Sequence, residues 1–199
     1  MPMAIADTCF LIDWSRFSLR DVLFELFDLV AVPEQVLAEV RTEDTLLWIA
    51  RQMGREKLQL FTPTPRQVEE ASRLVRHSYS IPGLRRLDLP EAICLVVGRE
   101  HGFVVLTENR GALMMREVLP ELSGVEVWRA LEVLAACMSR GLIEVHGEED
   151  VRGLLKRYEE ETFHIFPRMD VERVVEEAVS YTHLRAHETE ADLVCRLLL

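Results

Sequence analysis

Short runs in which every residue is apolar recur along this chain: MAIA near the start, then LVAV, and later FVVL. Between them lie segments whose apolar residues return every three or four positions, the spacing of amphipathic helices. A strand that is apolar at every position must be covered on both faces. Such strands, alternating with helices, build a parallel sheet in which each crossover helix supplies part of the cover. The predicted class is therefore α/β, a three-layer α/β/α arrangement around a central parallel sheet of four to five strands.

The elements follow from that alternation. MAIADT reads as a strand ending at Asp7, CFLIDW as a short helix, and SLRDVLFELFD as an amphipathic helix with Ser18 as N-cap. LVAV is a strand, with Pro33 placed at the first position of the helix that carries Glu39. TEDTLLWIARQMGREK is a helix, LQLF a third strand, and the segment after Pro65 another helix. IPGLRRLD is a Pro/Gly-containing connection and a candidate mobile loop. LPEAICLVVGREHG reads as a mostly apolar helix closed by Gly102, and FVVLT as a strand ending at Glu108-Asn109. A helix over NRGALMMREVLPEL, a last strand GVEVW and a helix stopped by Gly141 complete a domain over residues 1–141.

Residues 142–179 are charged and helical in pattern, broken at Pro167, and read as a C-terminal helical extension. Residues 180–199 resemble a peptide that recurs where sequencing-adapter DNA is translated at the broken ends of assembled contigs. They are expected to be a non-native tail, so the spacing of His183, His187 and Glu188 is not taken as a metal motif.

Of the 199 residues 49% are hydrophobic and 29% charged, which suits a soluble globular domain. A net charge of −11 argues against a surface that coats phosphates without regard to sequence. It leaves room for an acidic site with a local basic rim. The four cysteines, Cys9, Cys94, Cys137 and Cys195, lack the short paired spacing of zinc sites. They read as mostly buried free thiols suited to a reducing cytoplasm. No signal peptide is evident and no apolar run is long enough to span a membrane, so a cytoplasmic location is expected.

The acids are informative by position. Asp7 ends the first strand, Glu39 lies on the helix after the second, Glu91 opens the helix before FVVLT, and Asn109 follows that strand. In an open parallel sheet these places meet at the carboxyl edge of the strands, where such folds bind ligands. Carboxylates gathered there repel each other unless they are protonated or a cation binds, and oxygen-only ligation suits Mg²⁺ or Mn²⁺. A bound hard cation would support phosphodiester hydrolysis. Each residue also has a plainer role open to it. Asp7 suits a helix N-cap, Glu39 a solvated helix face, and Glu91 the positive end of a helix dipole.

AIADTCFLID, VPEQVLAEV, LPEAICLVVGREHG and FVVLTEN, in that order, resemble the PIN-domain ribonucleases, a group that includes the endonucleases of toxin–antitoxin modules. The resemblance covers roughly residues 3–128. It implies that Asp7, Glu39 and Glu91 hold the metal and that these three with Asn109 are catalytic, Thr107 and Asp88 supporting them. The family has an acid where this chain has Asn109; an amide brings no charge and favours one tight metal over two. Glu108, next to it, could substitute only if the strand end bends. Arg85, Arg86 and Arg110 are the preferred RNA contacts, with Arg99 and Arg116 as further candidates.

The resemblance implies a metal-dependent endoribonuclease with an RNA substrate, and, if the chain is a toxin, an antitoxin partner and a homodimer. The alternative is a catalytically weak PIN relative that binds RNA or a protein. A phosphoacceptor receiver domain also gathers acids at strand ends, but the last strand, GVEVW, has no lysine for it.

Overall fold

The computed structural model describes residues 2–178. The reading of residues 180–199 as a non-native tail, and Cys195 with it, lies outside the described residues. The first strand, β1 (Met3–Ala6), passes directly into α1 (Thr8–Arg16). A 3-10 turn (Arg20–Val22) and the short α2 (Leu23–Leu26) lead to β2 (Leu29–Pro33). Then come α3 (Glu34–Glu39), α4 (Glu43–Gly54) and β3 (Leu58–Phe61). The long α5 (Pro65–Ser80) and the buried α6 (Leu89–His101) precede β4 (Val104–Leu106). Next are α7 (Arg110–Val118), a 3-10 turn (Pro120–Leu122) and β5 (Val127–Trp128). The chain continues through α8 (Ala130–Ser139) and α9 (Glu148–Thr162), and residues 168–178 are helical.

The five strands form one sheet in the order β3-β2-β1-β4-β5, every pair parallel. β1 is central: Ile5 stands opposite Ala31 of β2 on one side and Val105 of β4 on the other. Ala4, Ile5 and Ala6 have no exposed surface, and neither do Val105 and Leu106. The uniformly apolar runs are thus the strands covered on both faces. α6 lies close on the sheet because Gly98 has no side chain; a Cβ there would come within 2.4 Å of the Val105 side chain. Gly102 ends α6 at φ 68°, a left-handed conformation that glycine adopts without steric cost.

Two local expectations fail for identifiable reasons. Ser18 caps no helix, because the chain beyond α1 winds into the 3-10 turn first, and Leu19 precedes it. The Trp14 indole N–H donates to the Arg20 carbonyl at 2.8 Å and the Arg20 guanidinium to the Ser15 carbonyl, which holds that turn against α1. Pro33 is the last residue of β2, opposite Phe61 of β3, and precedes α3 rather than opening it. Lacking an N–H, proline leaves a ladder without loss at a strand end.

The described residues divide into two compact units, one ending at Ala130 and the other beginning at Leu131. The first holds the sheet and α1 to α7. Within the second, Tyr158 of α9 stacks on Phe166 with ring centres 5.3 Å apart, and Arg152 bridges Glu148 and Glu172. Among the described cysteines, Cys94 and Cys137 are buried free thiols and Cys9 is exposed. No helix among the described residues is long and apolar enough to cross a membrane.

Candidate functional site

The chain leaves β1 at Asp7, and the parallel pairing continues one step further, the Asp7 N–H donating to the Leu106 carbonyl at 3.0 Å. This fixes the Asp7 backbone at the carboxyl edge of the sheet, and its side chain has no exposed surface. One carboxylate oxygen, Oδ1, accepts the Phe10 N–H at 2.8 Å and caps α1; the other, Oδ2, accepts the Thr107 hydroxyl. Thr107 is anchored in turn, its N–H donating to the Trp128 carbonyl at 3.0 Å and its Oγ1 accepting the Asn109 N–H at 3.0 Å. The N-cap role and the site role of Asp7 therefore coexist, one oxygen to each side.

Glu39, the last residue of α3, is exposed and reaches α1, where its Oε2 accepts the Thr8 hydroxyl at 2.7 Å. Glu91 stands in the first turn of α6, behind Pro90, and only 5% of it is exposed. Its Oε1 accepts an N–H of the Asn109 amide at 3.2 Å, while its Oε2 is buried without a hydrogen-bond partner. Asn109 is the N-cap of α7: its Oδ1 accepts the Gly111 N–H at 2.7 Å and the Ala112 N–H at 3.3 Å. These bonds set the direction of the amide, with oxygen toward the helix and nitrogen toward Glu91.

Burial dominates the electrostatics. Loss of hydration pushes the Asp7 carboxyl up to about 7, opposed by its bonds from Thr107 and Phe10 and assisted by the charges of Glu91 and Glu108. Burial also raises Glu91, against its own backbone N–H and the Asn109 amide, with Asp88 and Glu39 adding to the rise. Cys9 lies among the same acids; burial of its sulfur and the charges of Asp7, Glu91, Asp13 and Glu39 push its thiol up to about 12.

The PIN-domain family model matches residues 3–180 of the chain. The chain belongs to the PIN-domain family. PIN domains are in general nucleases that bind RNA and use divalent metals. The five-stranded parallel sheet, within the four to five strands expected, agrees with that membership, and the match runs through the C-terminal helices as well as the sheet. A comparison with curated proteins finds no match.

In this PIN domain the acids are neighbours but not a closed cage. Among the described residues no three carboxylate, imidazole or thiol groups stand together as a metal-binding group. Both Asp7 oxygens accept hydrogen bonds, and one Glu39 oxygen accepts from Thr8. The chemistry of the set still fits a hard cation. The Glu91 Oε2 is buried with no donor, beside a second desolvated carboxylate, and a cation is the group that would satisfy both.

Asn109 departs from its expected part. Its oxygen is spent on capping α7, so what it offers the acids is an N–H donor rather than an oxygen ligand. Glu108 does not take its place: its Oε1 accepts the Ala130 N–H at 2.6 Å, at the start of α8. Asp88 is the exposed N-cap of α6 with no side-chain capping bond, and acts on Glu91 by charge alone.

The arginines separate into two groups. Arg99 is paired to Glu70 at 2.7 Å, and Arg116 donates to the Val125 carbonyl at 2.8 Å, so both are structural. Arg85, Arg86 and Arg110 are exposed. The Arg85 and Arg86 carbonyls lie against Gly111, where a Cβ would come within 2.9 and 2.6 Å of them, which places that connection over the start of α7 beside Asn109. Arg86 lies over the exposed Tyr79 ring at 5.1 Å. The connection read as a mobile loop is tied at its far end, where Leu87 is buried and donates to the Ser78 hydroxyl at 3.3 Å. Thr8 and Tyr79 were given no role of their own by the sequence. A hydroxyl or an aromatic acquires its meaning only from a neighbour distant in the chain.

Proposed function

We propose that this PIN domain is a metal-dependent endoribonuclease that hydrolyses RNA phosphodiester bonds at the Asp7, Glu39 and Glu91 edge of the sheet. The observation that carries this reading is the Glu91 Oε2, a carboxylate oxygen buried without a donor beside the fully buried Asp7. Unless a cation is held there, two such groups cost the fold stability with nothing in return. Mg²⁺ or Mn²⁺ suits the all-oxygen set. The chemistry such an ion supplies when bound is a lower pKa for water and positive charge against the phosphodiester.

The chain's own residues orient the site. Thr107 and the Phe10 N–H hold the Asp7 carboxylate in one rotamer, Thr8 holds Glu39, and the Asn109 amide holds Glu91. Arg85, Arg86 and Arg110 on the Asn109 side supply contacts to the RNA backbone. The test is cutting of single-stranded and structured RNA by the purified full chain in Mn²⁺ or Mg²⁺. Asp7→Asn keeps an oxygen to cap α1 and removes the charge, so undiminished cutting by that variant sinks the assignment.

Asn109 favours one second reading, a catalytically weak PIN protein that binds RNA or a protein partner. A neutral amide stands at the fourth position, and its oxygen is unavailable as a ligand. Calorimetry decides between the two, since an absence of Mn²⁺ uptake supports the weak form. A toxin role, with an antitoxin protein and a homodimer, rests on the resemblance to toxin endonucleases; a small DNA-binding protein in the neighbouring reading frame is its test. Free thiols at Cys9, Cys94 and Cys137 support a cytoplasmic setting.

A further inference from the structure

α1, the turn after it and α4 line a cleft of about 430 Å³. Its lining includes three guanidinium groups, Arg16, Arg20 and Arg51, against a single carboxylate, Asp44. In a chain of net charge −11 this is a local reversal of sign. The apolar part of the lining comes from Leu47, which is exposed, and Trp48, which is buried.

The cleft is built before any ligand arrives. Arg20 is fixed from two directions, its Nη1 donating to the Ser15 carbonyl and its guanidinium lying over the Trp48 ring at 5.9 Å. Trp48 is itself held by its indole N–H, which donates to Asp21 at 3.1 Å. Arg16 is half-exposed and 3.6 Å from Asp13. Arg51 is exposed and has no ion-pair partner among the described residues. Arg20 is thus held in place while Arg16 and Arg51 are exposed, and guanidinium groups suit the oxygens of phosphate.

α1 connects this cleft to the acids. Thr8, its first residue, holds Glu39, and Arg16 is its last, which at helical rise places them roughly 12 Å apart. A flexible polyanion bound at the acidic edge can therefore continue toward the cleft, whereas a small anion would have no reason to meet three arginines from two helices and a turn.

We propose that the Arg16–Arg20–Arg51 cleft is a second phosphate-binding site, which takes the backbone of a single-stranded RNA beyond the acidic edge. It rests on the reading of that edge as a ribonuclease site. RNA, not an acidic protein segment, is the occupant the placement favours, because α1 carries both the cleft and a residue that holds one of the acids.

The test is binding of a labelled single-stranded oligoribonucleotide to the full chain in EDTA, across a salt series, for the parent, Arg16→Gln, Arg51→Gln and the double variant. Arg20 is left in place because it also holds Ser15 and Trp48. The expected result is several-fold weaker binding for each variant, with the slope of log affinity against log salt falling by roughly 0.7 per arginine removed. Arg51→Lys should restore most of that slope. With Mn²⁺ added, the variants should cut with a raised KM and a kcat close to the parent's.

Unchanged affinity and salt slope in the folded double variant, with cutting intact, overturn the cleft and leave the nuclease reading standing. If the parent neither binds nor cuts RNA, both fall together. If poly-glutamate occupies the cleft while the RNA slope ignores the arginines, the site belongs to an acidic protein partner and the proposal is overturned.

Discussion

A carboxylate with no exposed surface is costly to keep ionised, and Asp7 shows how that cost bears on the whole protein. Its pKa stands near 7 in the fold against 3.8 for the free group, so the folded state holds the proton more tightly than the unfolded state does. The sign follows from linkage. Below about pH 4 both states are protonated and nothing is lost; between about 4 and 7 the unfolded chain ionises first and stability declines; above 7 the loss is complete, at roughly 4 kcal/mol. Glu91 is shifted in the same direction and adds to the decline. In EDTA the protein should therefore melt at a higher temperature at pH 5 than at pH 7.5. Asp7→Asn should flatten that dependence and be the more stable protein at pH 7.5, as scanning calorimetry would show. Asn109 poses the complementary case. Asn109→Asp keeps both capping bonds, since the accepting oxygen is retained, but turns a second oxygen toward Glu91 where an N–H now donates. It should destabilise the metal-free protein, tighten Mn²⁺ binding by about tenfold or more, and raise the number of ions bound. Titration calorimetry and the paramagnetic signal of free Mn²⁺ read those outcomes without recourse to activity.

At the scale of elements, the site depends on how the segments before α6 and α7 are stacked. Gly111 sits in the first turn of α7 with the Arg85 and Arg86 carbonyls against it, so a side chain there must push that connection away. Alanine is the better helix former by about 1 kcal/mol, which offsets part of the strain. Gly111→Ala should consequently lower the melting temperature and weaken RNA binding several-fold; a loss of stability with binding left intact would show that the connection serves packing instead. The same elements show what could be read in advance. The strands β1, β2 and β4 were legible because an apolar run covered on both faces leaves no ambiguity, and Gly102 marked the end of α6 because only a left-handed residue closes it there. Asp7 and Asn109 were legible as positions after strands, and Glu39 and Glu91 as positions on helices near the same edge. Their bonds were not, since the capping of α7 by Asn109 and the grip of Thr8 on Glu39 depend on rotamers set by packing. The Arg16–Arg20–Arg51 cleft was invisible for a related reason: its arginines come from α1, the turn after it and α4, and their alignment exists only once α1 lies against α4.

For the whole molecule, parallel pairing sends every strand toward one edge, and this chain of 34 acidic and 23 basic side chains places Asp7, Glu39 and Glu91 there. The fold thus accepts concentrated repulsion at a place where a cation would relieve it. A ligand that binds only the folded state stabilises it in proportion to the logarithm of its concentration. At a hundredfold excess over its dissociation constant, Mn²⁺ should stabilise the protein by roughly 2.7 kcal/mol, a rise in melting temperature on the order of 5–10 °C for a chain of this size. Simple screening of a net charge of −11 would also raise it, so the comparison must be made against NaCl at equal ionic strength. The specific part should vanish in Asp7→Asn and fall at pH 5, where protons occupy the same carboxylates. A rise that NaCl reproduces, or that Asp7→Asn keeps, would mean that the acids are neutralised by the ionic atmosphere and hold no ion of their own.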